Sequence, residues 1–303
     1  MAKQERSVWL DGKVVEWGKA TVPILTHSMQ YGSGIFEGIR SYEVSGRAAV
    51  FRLGDHMKRF ANSAKILGME LAFSEKELSD AVLLTVKKNH LTQSYIRPFA
   101  FYNDANIGLS TSGKKVSTCV YATYMGEYFS NKSTGIRCAV SSWRRINPSI
   151  MPTQAKASGN YVNSIISSIE ARNHGADEAI ILSGEGFVAE GSSENVFLVE
   201  DGMLVTPPKE ADILLGITRD SVIKIARHVG IGVEERQVHR EELYTAEEVF
   251  FVGTAAEVTP VISIDGKRVG NGRPGRLSSA VSDAYGKAVR GQLKGFESWI
   301  TIV

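Results

Sequence analysis

Apolar and polar residues alternate on either side of three Asp-Gly pairs: Asp11-Gly12 within Val8 to Trp17, Asp201-Gly202 within Val196 to Thr206, and Asp265-Gly266 within Val261 to Val269. A tight two-residue turn needs positive φ at both central positions, which Asp-Gly tolerates, so each stretch predicts a β-hairpin. A fourth hairpin is predicted to join residues 179–182 to 187–190 across Ser183-Gly184-Glu185-Gly186. Elsewhere the apolar period lengthens. Leu53, Met57, Phe60, Ala61, Ala64 and Leu67 recur at helical spacing, and Ser74-Glu75-Lys76-Glu77 has the form of a capping box ahead of Leu78, Ala81, Val82 and Val86. A third helix is predicted from Asn160 to about Asn173, with Val162, Ile165, Ile166 and Ile169 on one face. A fourth is predicted to start at Thr218 as N-cap and to stop at Gly230. Hairpins interspersed with helices indicate an α+β protein rather than a doubly wound one.

With 303 residues the chain is long enough for two domains. The period breaks in the polar, glycine-containing stretch after Tyr124, which predicts a small domain over 1–124, an interdomain loop over 125–135 and a larger domain over 136–303. Lys plus Arg number 35 against 33 for Asp plus Glu, so no global field selects nucleic acid or an anionic membrane, and any anion recognition must be local. The two cysteines, Cys119 and Cys138, are too few for a disulfide framework and lie in no ligand-like cluster with the six histidines. No apolar run approaches a membrane span, and the N-terminus lacks the apolar core of a signal peptide. These features predict a reduced, cytoplasmic protein without a structural metal.

Candidate chemistry begins with Lys156, flanked by small residues in Ala155-Lys156-Ala157-Ser158-Gly159, and with Glu190, at the end of a strand-like run. An amine that forms a Schiff base must be uncrowded, and a pyridine nitrogen needs a carboxylate beside it to stay protonated. The pair therefore suits pyridoxal phosphate, although a solvated lysine and a solvated acid would read the same way. Leu215-Gly216-Ile217-Thr218 opens the fourth helix, where converging N–H groups would accept a phosphate, and Arg59 could add counter-charge. An ordinary capped helix and a solvated arginine fit equally. The small residues of Gly253-Thr254-Ala255-Ala256 follow an apolar strand and form either an anion-binding turn or a tight turn only. Tyr95 and Arg97 share a strand face ahead of Pro98; they suit a carboxylate, or an edge strand with Arg97 in an ion pair. Three glycines crowd Tyr31-Gly32-Ser33-Gly34-Ile35-Phe36-Glu37-Gly38, marking close backbone packing or a shaped pocket wall.

Taken in order, these six stretches resemble the branched-chain amino acid aminotransferases among the fold type IV pyridoxal phosphate enzymes, over nearly the whole chain. The resemblance implies a two-domain fold like that of D-amino acid aminotransferase, with antiparallel-rich sheets or a barrel and flanking helices. It implies pyridoxal 5'-phosphate as cofactor, Lys156 as Schiff-base lysine and general base, and Glu190 beside the ring nitrogen. Tyr161 would bond the cofactor's 3-oxygen, and Arg59, Ile217, Thr218 and Thr254 its phosphate. For substrate, Tyr95 with the amides of Thr254 and Ala255 would take the α-carboxylate. Arg97, with Tyr31 from a neighbouring subunit, would take the distal carboxylate of glutamate, and Phe36, Gly38 and Tyr128 would form apolar walls. At least a homodimer is implied, because Tyr31 and the loop near Leu109 would reach the partner's site. The chain departs from many bacterial members at Tyr124-Met125-Gly126-Glu127-Tyr128, where they carry Pro-Trp-Gly. D-amino acid aminotransferases and aminodeoxychorismate lyases share the lysine, the acid and the phosphate cup. Tyr95-x-Arg97-Pro98 and the 253–256 turn favour the branched-chain enzymes over both, with (R)-amine side activity left open.

Overall fold

Asp11, Asp201 and Asp265 all adopt positive φ (45°, 48° and 50°) in the computed structural model, which describes residues 6–303. Their glycines follow at 87°, 71° and 75°, so each predicted turn forms with both central residues in the left-handed region. The chain divides into two units.

The first unit holds the chain up to Met125 together with Ala155–Gly159 and Val289–Val303. Its strands are β1 (Ser7–Leu10), β2 (Lys13–Glu16), β3 (Gly34–Phe36), β4 (Ile39–Val44), β5 (Arg47–Phe51), β6 (Ser94–Tyr102) and β7 (Val116–Thr123). Its helices are α1 (His27–Tyr31), α2 (Leu53–Ile66) and α3 (Glu75–Lys88). The strand Ile300–Ile302 pairs with β5 and opens the sheet order, which continues β5-β4-β6-β7-β1-β2 with β3 also on β6. Met57 and Phe60 of α2 and Val82 and Val86 of α3 pack with Ile35, Ile39, Ile96, Ala100 and Val120 from the sheet. By strand alternation this leaves Phe36, Arg40, Tyr95, Arg97 and Phe99 on the opposite face. The Ser74 capping box forms as predicted.

Pro98 does not end an edge strand. It lies inside β6, which is paired on both sides. Its carbonyl accepts the amide of Glu37 (2.9 Å), so its nitrogen points to the same flank, where β3 gives way to β4. β3 pairs with residues 99–101 and β4 with residues 94–96, so the missing N–H falls at the break between two partners and costs no ladder bond.

The second unit comprises Gly126–Gln154 and Asn160–Ala288. It contains β8 (Ile136–Arg144), β9 (Glu178–Leu182), β10 (Val188–Gly191), β11 (Asn195–Glu200), β12 (Met203–Thr206), β13 (Val233–Glu235), β14 (Glu248–Gly253), β15 (Glu257–Ile264) and β16 (Lys267–Arg268). β10 pairs with both β9 and β11, so β10-β9-β8-β15-β14-β11 closes into a barrel. Most pairs are antiparallel, but β8 runs parallel to both neighbours. Val188, Val196, Leu198, Phe251, Val261 and Ile264 share one core cluster. The helices are α4 (Tyr161–Asn173), α5 (Ile217–His228), α6 (Glu242–Thr245) and α7 (Arg276–Ala288).

Two details differ from the sequence expectations, and a third extends them. Residues 155–159 and 289–303 belong with the first unit rather than with a continuous 136–303 domain, because Ala157 bridges Ile35 and Ile300–Ile302 completes the first sheet. Helix α5 takes Gly216 as its extended N-cap, so Thr218 is the second helical residue rather than the N-cap. The apolar face of α4 exists but points outward: Val162, Ile165 and Ile169 are exposed. The inward residues are Ser164, Ser167 and Ala171, whose small side chains suit close packing on β8 and β9.

Candidate active site

The first unit brings together five of the expected residues. Lys156 is pinned at its backbone: its carbonyl accepts the amide of Phe36 (3.0 Å) and its amide donates to Ser63 Oγ (3.0 Å), which in turn donates to the Arg59 carbonyl (2.9 Å). Its ammonium stands 4.9 Å from the centre of the Phe36 ring, and the Arg97 guanidinium stands 4.6 Å from the same ring. One aromatic wall therefore serves two cations. Arg97 Nη2 donates to the Tyr95 hydroxyl (2.7 Å), so the two residues that share a strand face also share a bond. Gly38 is required by that arrangement: a Cβ there would stand 2.2 Å from the Tyr95 hydroxyl oxygen.

Arg59, also in this unit, grips a buried acid. Its Nε and Nη2 donate to Oε1 and Oε2 of Glu37 (2.6 and 2.8 Å), and His56 Nδ1 lies 2.7 Å from Oε2. Burial alone would push Glu37 up, but the charges and hydrogen bonds of Arg59 and His56 outweigh it and hold the carboxyl far below the ordinary carboxylate range. Burial drives His56 down against the pull of Glu37. Since an ionised carboxylate only accepts, Nδ1 carries a proton and donates it to Glu37. Tyr31 lies at the end of α1, half-exposed, with its hydroxyl accepting from the amide of Gly108 (3.4 Å).

The second unit gathers the acid and the phosphate candidates. Glu190 on β10 is buried. Its Oε1 accepts from Arg145 Nε (2.7 Å), and its Oε2 accepts from Asn195 Nδ2 (3.0 Å) and from the amide of Leu214 (3.1 Å). Asn195 Nδ2 also donates to the Leu214 carbonyl (3.0 Å), so the loop leading into α5 is tied directly to the acid. Gly216 follows that loop, and a Cβ there would stand 2.0 Å from Asn195 Oδ1. The glycine thus lets the chain pass over Asn195 and present the amides of Ile217 and Thr218 as the first turn of α5. Thr254 and Ala255 form the turn between β14 and β15, closed by the Gly253–Glu257 pair, with Glu257 at positive φ (56°). Tyr161 opens α4, and Tyr128 stacks edge-on with Phe129 at 4.8 Å.

A second acid pair lies near these groups. Glu178 and Glu194 are both buried, and Glu194 packs beneath Gly253, whose Cβ position is 3.4 Å from its Cγ. Burial, and then the charge of Glu178, push the Glu194 carboxyl up to about 8 despite hydrogen bonds from Ser193. Burial first, and then both carboxylates, also raise the Tyr128 phenol.

Taken separately, the amine beside an aromatic wall and an arginine in the first unit suits a Schiff base, and the carboxylate surrounded by protein donors and the glycine-opened helix terminus in the second suit a protonated ring nitrogen and a phosphate, the groups that pyridoxal phosphate carries. Sequence reasoning missed Glu37, His56, Arg145 and Asn195. Glu37 stood inside the glycine-rich stretch of residues 31–38 and Asn195 five residues after Glu190, and polar residues there that are not otherwise used were the available signal. His56 and Arg145 carried none. Among the described residues no helix is long and apolar enough to cross a membrane, and no group of three or more His, Cys, Asp and Glu residues is arranged to hold a metal.

Comparison with known proteins places these features in a family. The profile described as "Amino-transferase class IV" matches residues 34–264. The branched-chain-amino-acid aminotransferase of Pseudomonas aeruginosa is 40% identical over 305 residues, covering 100% of this chain and 99% of its own. A crystal structure of the branched-chain aminotransferase of Thermoproteus uzoniensis with norvaline superposes with a TM-score of 0.95 at 46% identity, over 98% of this chain and 99% of that one. The branched-chain amino acid aminotransferase of Thermobaculum terrenum in its PLP form gives 0.93 at 34% identity, over 99% of this chain and 98% of that one.

Proposed function

We propose, from the premise that this chain belongs to the class IV aminotransferases, that it moves the amino group between branched-chain L-amino acids (leucine, isoleucine, valine) and 2-oxoglutarate or L-glutamate by a ping-pong reaction. The observation that carries the substrate reading is the Phe36 ring with Lys156 at 4.9 Å and Arg97 at 4.6 Å from its centre, Arg97 being bonded to Tyr95. An apolar surface next to a phenol-held guanidinium accepts an aliphatic side chain in one half-reaction and a distal carboxylate in the other, without burying an unpaired charge.

The cofactor we assign is pyridoxal 5'-phosphate, supported by the PLP form of the Thermobaculum terrenum relative and by the two donor sets. When bound it supplies an electron sink for the substrate's α-carbon. Lys156 would hold it through Nζ and act as the base that removes and returns the α-proton. Glu190, kept as an acceptor by Arg145 and Asn195, would hold a proton on the ring nitrogen. Tyr161 would bond the 3-oxygen, and Arg59, Ile217, Thr218 and Thr254 the phosphate. Tyr95 with the amides of Thr254 and Ala255 would orient the α-carboxylate, and Gly38 and Tyr128 would line the side-chain pocket. The enzyme would work in the cytoplasm as at least a homodimer, with Tyr31 and the loop near Leu109 offered to the partner's site. Leu109 and Ile107 are 76% and 83% exposed, as residues awaiting a partner would be.

The test is a half-reaction panel of L-leucine, L-valine, L-glutamate, D-alanine and an (R)-amine, read by bleaching of the yellow holoenzyme. L-leucine and L-glutamate should both bleach it. Bleaching by D-alanine but not by L-leucine overturns the substrate assignment, and full turnover by Lys156→Ala overturns the mechanism.

A further inference from the structure

Glu37 is fully buried, yet it is ionised and accepts from Arg59 Nε and Nη2, from His56 Nδ1 and from the amide of Gly38 (3.2 Å). Its own amide is fixed to the Pro98 carbonyl. Stability alone does not explain such a cluster, because a buried ion pair generally does no better than apolar side chains of the same volume. What the cluster achieves is orientation. A two-point fork on a carboxylate fixes both the plane and the position of a guanidinium, removing rotamer freedom that a binding event would otherwise have to remove.

The surroundings connect this orientation to the reactive lysine. Phe36, the neighbour of Glu37, holds the Lys156 carbonyl, and Ser63, one turn along α2 from Arg59, bridges the Arg59 carbonyl and the Lys156 amide. Two adjacent residues, Phe36 and Glu37, thus set the lysine backbone and the arginine head from one short stretch of chain.

We propose that Glu37, supported by His56, is a positioning residue that pre-orients Arg59 for the cofactor phosphate. It touches neither substrate nor cofactor and acts through the guanidinium. His56 serves as a hydrogen-bond donor that completes the carboxylate's shell through Nδ1. The inference rests on the assignment of Arg59 to the phosphate, so the two must be separated experimentally.

Holoenzymes carrying Arg59→Ala, Glu37→Gln, both changes together, and His56→Gln are compared for the rate of pyridoxal phosphate loss on dilution, for the 31P resonance of the bound cofactor, for kcat at saturating cofactor, and for Tm. Glu37→Gln should speed cofactor loss by at least about tenfold, the size expected when a charge-assisted pair that orients a binding group is removed. It should also shift the 31P signal and lower kcat by a smaller factor. His56→Gln, which keeps the fork, should show the same pattern at about threefold, and it preserves the test if Glu37→Gln folds poorly. In the Arg59→Ala background, Glu37→Gln should have no further effect on cofactor loss and should raise Tm, because it neutralises a carboxylate left without its cation. If Arg59→Ala retains cofactor like the wild type, the phosphate assignment itself is wrong. If Arg59→Ala loses cofactor while Glu37→Gln and His56→Gln hold it normally, or if Glu37→Gln weakens retention equally with Arg59 absent, the positioning role is overturned.

Discussion

Glu37 in the first unit and Glu194 in the second are equally hidden from water, at 0% and 3% exposure, yet they sit at opposite ends of the carboxylate range. Glu37 is driven far down and Glu194 up to about 8. Burial opposes the charged form in both, so burial does not decide the outcome. The partners do: a guanidinium fork and an imidazole N–H face Glu37, whereas Glu194 faces a second carboxylate, with only Ser193 donating to it. Of these two buried acids, the one with a cation built beside it is held low and the one facing another carboxylate is pushed up. Glu190, like Glu37, has a guanidinium beside it, that of Arg145.

That contrast can be broken. Arg145→Met should turn Glu190 from a paired acid into a stranded one, costing about 3–5 kcal/mol by denaturant unfolding, the usual penalty for removing one side of a buried pair. If the cost is under about 1 kcal/mol at neutral pH, Glu190 does not depend on its arginine and the distinction fails. The reverse manipulation is Glu194→Gln. The raised carboxyl binds a proton in the folded chain that an ordinary carboxyl (4.5) has already released when unfolded, so folding stability should fall as pH rises from about 4.5 to about 8 and level off above. Glutamine should remove that slope and leave the variant the more stable form, relative to wild type, above pH 8. A wild-type stability curve flat across the window would show that Glu194 is not held protonated.

Gly38→Ala sharpens the picture of the opposite sheet face in the first unit. Its Cβ must displace the Tyr95 phenol, and with it the bond to Arg97, so KM for L-glutamate should rise by about tenfold, worth 1.4 kcal/mol, with kcat much less affected. An unchanged KM would mean that the Tyr95–Arg97 bond is not used for substrate. The smallest effect is set far from any buried acid. Ser74→Ala removes the capping box of α3 and should cost about 1 kcal/mol of stability with steady-state kinetics unaltered. Any change in KM there would show that α3 reaches the chemistry.

The hairpins were legible because Asp-Gly turns impose a local backbone condition, and the positive φ of Asp11, Asp201 and Asp265 meets it. The capping box and the α2 periodicity were legible for the same reason, being fixed by neighbours within one turn. What the sequence hid was set by distant partners. Pro98 reads as a strand terminator until the break between β3 and β4 is seen opposite it. The α4 stripe of Val162, Ile165 and Ile169 reads as one face of a helix and nothing more, because periodicity reports that a face is apolar and not which way it points; here it is exposed. Lys156 and Glu190 could be picked out by residue type and setting. His56 and Arg145 had no such mark, since their meaning comes entirely from the carboxylates they meet across 19 and 45 residues of chain.

The strand Ile300–Ile302 on the edge of β5 has a consequence for synthesis. It leaves the ribosome after all of the second unit, residues 126–154 and 160–288, so the first unit cannot finish its sheet while the second is being made. Until then β5 offers an unpaired edge, a template on which another nascent chain could add. A growing chain would therefore hold a finished barrel beside an open sheet, and the interval between the two is when this protein is most exposed to a chaperone or to its own copies.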